Sequence, residues 1–211
     1  MSSMKGFQDT IAWYNKHAKE FAKKAGSAVY DTMAEFTGLL PKDGKILDVG
    51  CGSGRDTKIF DKEGFDATGL DYSTGLIEVA KKDYPECKFL VGDMRALPFG
   101  EQDFDGVWAN ASLVHFETRE DVVTSLREFN RVLKEQGVLY VSVKLQTDKK
   151  TGLEEDKRFP EPRFFQYFTQ KEIHELFQEA GFRIISSKIE QSRSRAEVKW
   201  IQVIGRKETI V

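Results

Sequence analysis

Cysteine is scarce in this chain. Only Cys51 and Cys87 occur among 211 residues, too few for a disulfide framework, and neither belongs to a CxxC or Cys/His cluster of the kind that holds zinc. The expectation is a reducing, cytoplasmic setting and no metal site. Prolines number five, with 40% hydrophobic and 31% charged residues, which excludes disordered, collagen-like and disulfide-stapled classes. No apolar run approaches the roughly 20 residues that span a bilayer, and the opening MSSMKGFQDT lacks the apolar stretch and cleavage site of a secretory signal. Membrane insertion and secretion are both disfavoured. Charge of one sign is missing as well: 32 Lys and Arg against 34 Asp and Glu leave a net −2, which gives no bulk attraction to nucleic acid or anionic lipid. Enough apolar residues remain to build one core, and the length suits a single domain or a domain with a lid.

From Phe7 to Ala25, the residues Ile11, Tyr14, Ala18, Phe21, Ala22 and Ala25 recur at helical spacing, with Lys16, Lys19, Glu20, Lys23 and Lys24 opposite. This predicts an amphipathic helix ending near Gly26. A second helical stretch carries Val29, Met33, Phe36 and Leu40 before Pro41. Short apolar runs then alternate with helical patterns of about a dozen residues: KILDVG, a helix to Glu63, FDATGL, a helix from Ser73, KFLVG, FDGVWA, a helix from Thr118, and VLYVSVK. Such alternation requires parallel strands joined by right-handed crossovers, an α/β doubly wound sheet. Gly64, Gly137 and Gly181 read as residues just past helix ends, and Thr169 with Glu172 as a capping box. No internal repeat is visible. After Gly181, FRIISSKI and EVKWIQVIG flank the polar EQSRSRA with no helix between them, which predicts an antiparallel hairpin. The connection from Leu145 to Phe168, charged and then aromatic, is unusually long for a compact α/β domain and reads as a lid-like loop.

The strand ILDV runs straight into Gly50, Cys51, Gly52, Ser53 and Gly54, and a helix follows, as at a nucleotide-binding turn. The spacing is GxGxG rather than the GxGxxG of dinucleotide sites, which argues against NAD. Asp71 ends the next strand about 20 residues on, where a carboxylate accepts both hydrogen bonds of a ribose diol. Each feature also has a plain structural meaning: a tight strand-to-helix turn, a helix cap, and for Cys51 a small packing residue.

These motifs resemble the class I S-adenosylmethionine-dependent methyltransferases, especially small bacterial ones similar to tellurite-resistance and ubiquinone-biosynthesis methyltransferases. ILDVGCGSGRD carries the resemblance, followed by GLDYS, GDMRALPF, FDGVWANASLVHF and REFNRVLKEQGVLYVSVK, over about Lys42 to Gly205. It implies a Rossmann-like, seven-stranded mixed sheet in a three-layer αβα arrangement, mostly parallel with an antiparallel terminal hairpin. It also implies an N-terminal helical lid over residues 1–40 and a cofactor-binding domain over 41–211, with a substrate-side loop at 145–168. Carried over by residue, it puts Asp48, Gly50 and Gly52 near the methionine end of S-adenosylmethionine, with Cys51 and Gly54 completing the loop. Asp71 falls on the ribose hydroxyls, Tyr72 beside the adenine and Asp93 on its amino group. Met94 has its backbone N–H on a ring nitrogen, and Asn110 and Ala111 lie by the methionine moiety.

A sulfonium methyl is already activated, so the protein's task is to align an acceptor and exclude water. Where an acceptor must lose a proton, His115 in ASLVHF is the best placed base. Tyr14, preferred over His17, is the N-terminal helix's candidate for the acceptor pocket. Arg163, Phe164, Phe165 and Tyr167 sit where substrates enter, with aromatics for an apolar or cationic group and Arg163 for an acidic one; anchoring of the loop explains them equally. The expected partner is a small-molecule acceptor. WANAS lacks an Asn-Pro-Pro-Tyr signature and no Pro-Cys pair occurs, which demotes DNA methylation, and arsenite methylation would want more cysteines. Lys188, Arg193, Arg195 and Lys199 leave RNA as an alternative. A non-catalytic S-adenosylmethionine-binding module and an NAD-dependent oxidoreductase are the other rivals.

Overall fold

The computed structural model describes residues 5–24, 30–148, 150–159, 161–192 and 198–208. The helices are α1 (Lys5–Lys24), α2 (Tyr30–Thr37), α3 (Arg55–Lys62), α4 (Thr74–Asp83), α5 (Arg119–Val132) and α6 (Gln170–Glu179). Five strands, β1 (Lys45–Val49), β2 (Asp66–Asp71), β3 (Lys88–Val91), β4 (Phe104–Asn110) and β5 (Leu133–Leu145), precede the short β6 (Gly152–Glu154), β7 (Arg163–Phe165) and β8 (Tyr167–Phe168). β9 (Phe182–Gln191) and β10 (Lys199–Lys207) close the chain.

The main sheet runs β3-β2-β1-β4-β5-β10-β9. The first five strands are parallel, and β10 is antiparallel to both β5 and β9. The seven-stranded, mostly parallel sheet with a terminal hairpin is as expected. An eighth short strand, β8, adds to the end of β5 at Lys144 and Leu145. Period-2 alternation sorts the sheet's side chains between two cores. Leu47, Val107, Ala109, Leu139 and Val141 face α5 and α6, packing with Leu126, Phe129, Ile173 and Phe177. Ile46, Trp108, Val138 and Tyr140 face the other way onto Met33 and Phe36 of α2 and Phe60 of α3. Nearly continuous apolar strands are what a sheet covered on both faces demands.

Helix ends follow the residues that set them. Ser73 and Thr118 accept hydrogen bonds from the Leu76 and Asp121 backbones, and Thr169 with Glu172 forms the reciprocal capping box. Gly64 and Gly181 sit past α3 and α6 at φ 93° and 79°, the left-handed geometry that lets a helix stop. Gly137 does not belong with them. α5 ends at Val132, and Leu133, already extended, starts β5; Gly137 instead lies in an irregular entry to the strand, beside Gln136 at φ 63°. The 145–168 connection is not one loop either, since β6 and β7 pair antiparallel within it. Ala25, Gly26, Val29, Arg193 and Arg195 lie outside the described residues. Among the described residues no helix is long and apolar enough to cross a membrane.

Candidate active site

The strand order reverses between β1 and β4, and ligands in open α/β sheets bind outside the carboxyl ends of the strands at such a point. A cavity of about 340 Å³ opens there. Its floor is the glycine loop, where Gly50, Gly52 and Gly54 take φ of 72°, 57° and 84°. At Gly50 a side chain is impossible, because a Cβ would lie 2.3 Å from that of Ser112. At Gly52 the nearest atom to such a Cβ is a Phe21 ring carbon 3.8 Å away, so the missing side chain leaves room for a ligand against the backbone. Gly54 turns away; its Cβ would meet the Phe89 ring at 2.6 Å, and it does not line the cavity.

Asp71 ties the loop to β2, accepting the Gly52 N–H at 2.8 Å with one oxygen and the Ser73 N–H at 2.8 Å with the other. The carboxylate keeps acceptor capacity for a further donor. Burial pushes the Asp71 carboxyl upward, and the backbone N–H groups oppose that. Asp48 and Asp56 are also buried, at 2% and 5% exposure. Asp48 accepts from Thr57 Oγ1 at 2.6 Å; Asp56 accepts from Trp108 Nε1 and Asn110 Nδ2, both at 3.1 Å, and from Arg55 Nε at 2.6 Å. Burial and the neighbouring Asp56 charge raise the Asp48 carboxyl well above the usual carboxylate range. Two buried carboxylates so placed suit a cationic ligand.

Further along, Asp93 and Met94 line the cavity. The Asp93 carboxylate is held by Arg95 through Nε and Nη2, at 3.0 and 2.7 Å. Tyr72 meets Phe7 of α1 edge-on at 5.4 Å between centroids. Ala111 adopts φ 58°, a strained turn for a residue with a Cβ, and its N–H bonds the Ser142 carbonyl at 3.1 Å. Ser112 Oγ is buried at this turn without a hydrogen-bond partner among the described residues.

Phe7, Ile11, Tyr14 and Phe21 lie along one face of α1 and form the roof, which explains the apolar periodicity of that segment; Lys24, expected on the opposite side, borders the cavity as well. At this end a chain of hydrogen bonds crosses the structure. Arg163 Nη1 donates to Tyr14 Oη at 2.9 Å, Tyr14 lies 3.0 Å from His115 Nε2, and His115 Nδ1 lies 2.9 Å from the Phe164 carbonyl. A carbonyl only accepts, so Nδ1 carries the proton and Nε2 receives the Tyr14 hydroxyl. Burial and the Arg163 and Lys144 charges push His115 down to about 3, while burial raises the Tyr14 phenol. His115 is therefore neutral, with its free lone pair engaged by the Tyr14 hydroxyl.

Arg163 and Phe165 line the cavity; Phe164 and Tyr167 do not. Phe164 offers its carbonyl to His115, and Tyr167 donates from its hydroxyl to Glu154. Glu154 also receives Lys144 Nζ at 2.9 Å on both oxygens. Sequence reasoning missed Asp56, Ser112, Lys144, Asp156, Arg158, Trp200 and Gln202, all of which line the cavity. Asp56 stands within the GSGRD motif and Ser112 directly after Ala111, so adjacency was the available signal; nothing local marks the others. Of the basic residues considered for RNA, Lys188 pairs with Glu35. Among the described residues, no group of three or more His, Cys, Asp or Glu is placed to hold a metal ion.

Residues 47–141 match a family model described as a methyltransferase domain. The chain is 35% identical over 131 residues to the 2-methyl-6-phytyl-1,4-hydroquinone methyltransferase of Synechocystis sp., covering 59% of this chain and 40% of that protein. It is 31% identical over 157 residues to the O-methyltransferase resE of Aspergillus sclerotiorum, covering 66% and 55%. The chain thus spans about half the length of the curated relatives it matches. Its fold superposes with a TM-score of 0.75 on the Burkholderia thailandensis 1,6-didemethyltoxoflavin-N1-methyltransferase, solved with 1,6-didemethyltoxoflavin and S-adenosylhomocysteine, at 24% identity and covering 96% of this chain and 87% of that one. Residues 47–141 are thus similar to a methyltransferase domain, and with this sheet order, the glycine loop and Asp71 the chain resembles the class I S-adenosylmethionine-dependent methyltransferases.

Proposed function

We propose that this protein transfers the methyl group of S-adenosylmethionine to a small molecule by in-line displacement inside the cavity between the glycine loop and α1. The observation that carries the reading is the set of groups gathered in one cavity. Carboxylates Asp48, Asp56, Asp71 and Asp93 line it together with Tyr14, His115, Arg163 and Phe165. The donor set fits the cofactor: acidic groups for an ammonium and a sulfonium, Asp71 for a ribose diol, Gly52 for close backbone approach, and the partnerless Ser112 hydroxyl for a polar group of the ligand. When bound, S-adenosylmethionine supplies a methyl on a sulfonium leaving group.

In this reading Asp48, Gly50, Cys51, Gly52, Asn110 and Ala111 hold the methionine end, and Asp71, Tyr72, Asp93 and Met94 the nucleoside. α1 acts as the lid and the 145–168 segment as the acceptor-side wall. Tyr14 and His115 orient the acceptor, with Phe164 fixing the imidazole and Tyr167 fixing Glu154.

Thermal melts with S-adenosylmethionine, S-adenosylhomocysteine and NAD in parallel test the cofactor. The two sulfur ligands at about 100 times their Kd add roughly 2.7 kcal/mol and raise the midpoint by several degrees, whereas NAD leaves it unchanged. Asp71→Ala abolishes most of that rise while the fold survives. A rise with NAD alone sinks the reading in favour of an oxidoreductase, and turnover against an acceptor panel separates an enzyme from a silent binding module.

A further inference from the structure

We infer that the acceptor is an organic anion: a small molecule with a flat apolar body and a carboxylate or similarly acidic oxygen, anchored by Arg163. This rests on the methyl-transfer reading above and names the chemical class that its acceptor end selects.

Arg163 is 4% exposed, an extreme position for a guanidinium, which is almost never fully buried unless paired. Its carbon centre lies 4.6 Å from the Trp13 ring, 5.0 Å from Phe159, 5.3 Å from Phe165, 5.4 Å from Tyr14 and 6.0 Å from Phe21. Such a ring cage favours the cation and orients its plane. Two of its nitrogens are engaged, Nη1 with Tyr14 at 2.9 Å and Nη2 with Asp156 at 3.1 Å. The third, Nε, is buried with no hydrogen-bond partner among the described residues. A buried charged donor left unmade is costly, and an anionic oxygen is the acceptor that repays it best.

The wider charge pattern agrees. Lys24, Arg158 and Arg163 line the cavity beside α1 and the β6–β7 segment, while the carboxylates of the glycine loop and β2 line the side read here as the cofactor's. Asp156 serves both guanidiniums, receiving Arg158 Nη2 at 2.8 Å as well as Arg163. A cationic cofactor and an anionic acceptor would each meet the complementary part of one cavity. Ile11, Phe21, Phe165, Val198 and Trp200 supply apolar wall, which gives the body of the molecule its surface, and Arg163 gives it orientation; Glu190, also in the wall, is held by Gln202 Nε2 at 3.1 Å.

The test uses the full chain saturated with S-adenosylhomocysteine and, as probes, benzoate and indole-3-acetate beside their carboxamides, which match them in shape without the charge. Each acid is expected to bind at least about tenfold more tightly than its amide, the scale of one lost charge-assisted hydrogen bond. Arg163→Gln should bring that ratio to about one with S-adenosylhomocysteine affinity unchanged, and Arg163→Lys should restore part of it. Equal binding of acid and amide, binding of neither, or a preference that survives Arg163→Gln overturns the inference. The comparison within the unaltered protein decides even if Arg163→Gln fails to fold. Failure of S-adenosylhomocysteine itself to bind refutes the methyl-transfer reading instead, so the two failures are distinguishable.

Discussion

In the proposed reading, a single carboxyl, Asp48, links cofactor binding to pH. It is buried at 2% exposure, beside Asp56 and hydrogen-bonded to Thr57. Burial and the like charge favour its protonated form in the folded, ligand-free protein. An unfolded chain releases that proton from about pH 4 upward, so the folded state then holds more protons and Asp48's contribution to stability falls as pH rises toward its raised value. A cationic ligand reverses the preference, because an adjacent positive charge favours the carboxylate. Affinity for S-adenosylmethionine should therefore climb with pH up to the raised value and then level. Asp48→Asn should flatten the profile, and calorimetry in buffers of different ionisation enthalpy should show proton release with the natural residue alone. A flat profile for the unaltered protein would remove Asp48 from the binding equilibrium.

The elements differ in how far the sequence exposed them. α1 was readable because one face recurs through Ile11, Tyr14, Ala18 and Phe21, and that face does turn inward. The glycine loop was readable because Gly50 needs a backbone geometry and a closeness to Ser112 that no other residue tolerates. β6, β7 and β8 left no trace, since strands of two or three residues are too short to show a period. Gly137 misled because a strand begins directly at the end of α5, with no separating loop to mark the change. Asn15 was silent in the sequence, yet its side-chain oxygen accepts from Ser73 Oγ at 2.7 Å and the Gly75 N–H at 3.0 Å. It clamps α1 onto the start of α4, immediately after Asp71 and Tyr72. Asn15→Ala should lower the melting midpoint by about 2–4 °C, the equivalent of roughly 1 kcal/mol in a chain of this size. Amide exchange in α1 should quicken and cofactor release should speed up. An unchanged release rate with the lowered midpoint would mean that α1 does not gate the site.

Across the whole molecule, the cavity gathers segments far apart in sequence. Phe7 of α1, Asp71 of β2, Asn110 of β4, Arg163 of β7 and Trp200 of β10 all border it. The hydrogen bonds that join them span long separations, Tyr14 to His115 across 101 positions and Arg163 to Tyr14 across 149. That is why Tyr14, His115, Arg163 and Phe164 could each be picked out singly while the hydrogen bonds that join them escaped local sequence patterns, whereas the glycine loop and Asp71, 19 positions apart and bonded directly, were linked. A ligand filling such a cavity touches both ends of the chain at once and binds the folded state alone, so its free energy must appear as stability of the whole structure. Saturating S-adenosylhomocysteine should slow amide exchange in the glycine loop, in α1 and in the β9–β10 hairpin together. Protection confined to the glycine loop and β2 would show that the roof and the hairpin wall do not close on the cofactor, and that the acceptor end is a separate compartment. Protection at all three would mean that the cofactor orders the roof and the hairpin wall of the acceptor end, so that acceptor binding strengthens once the cofactor is in place.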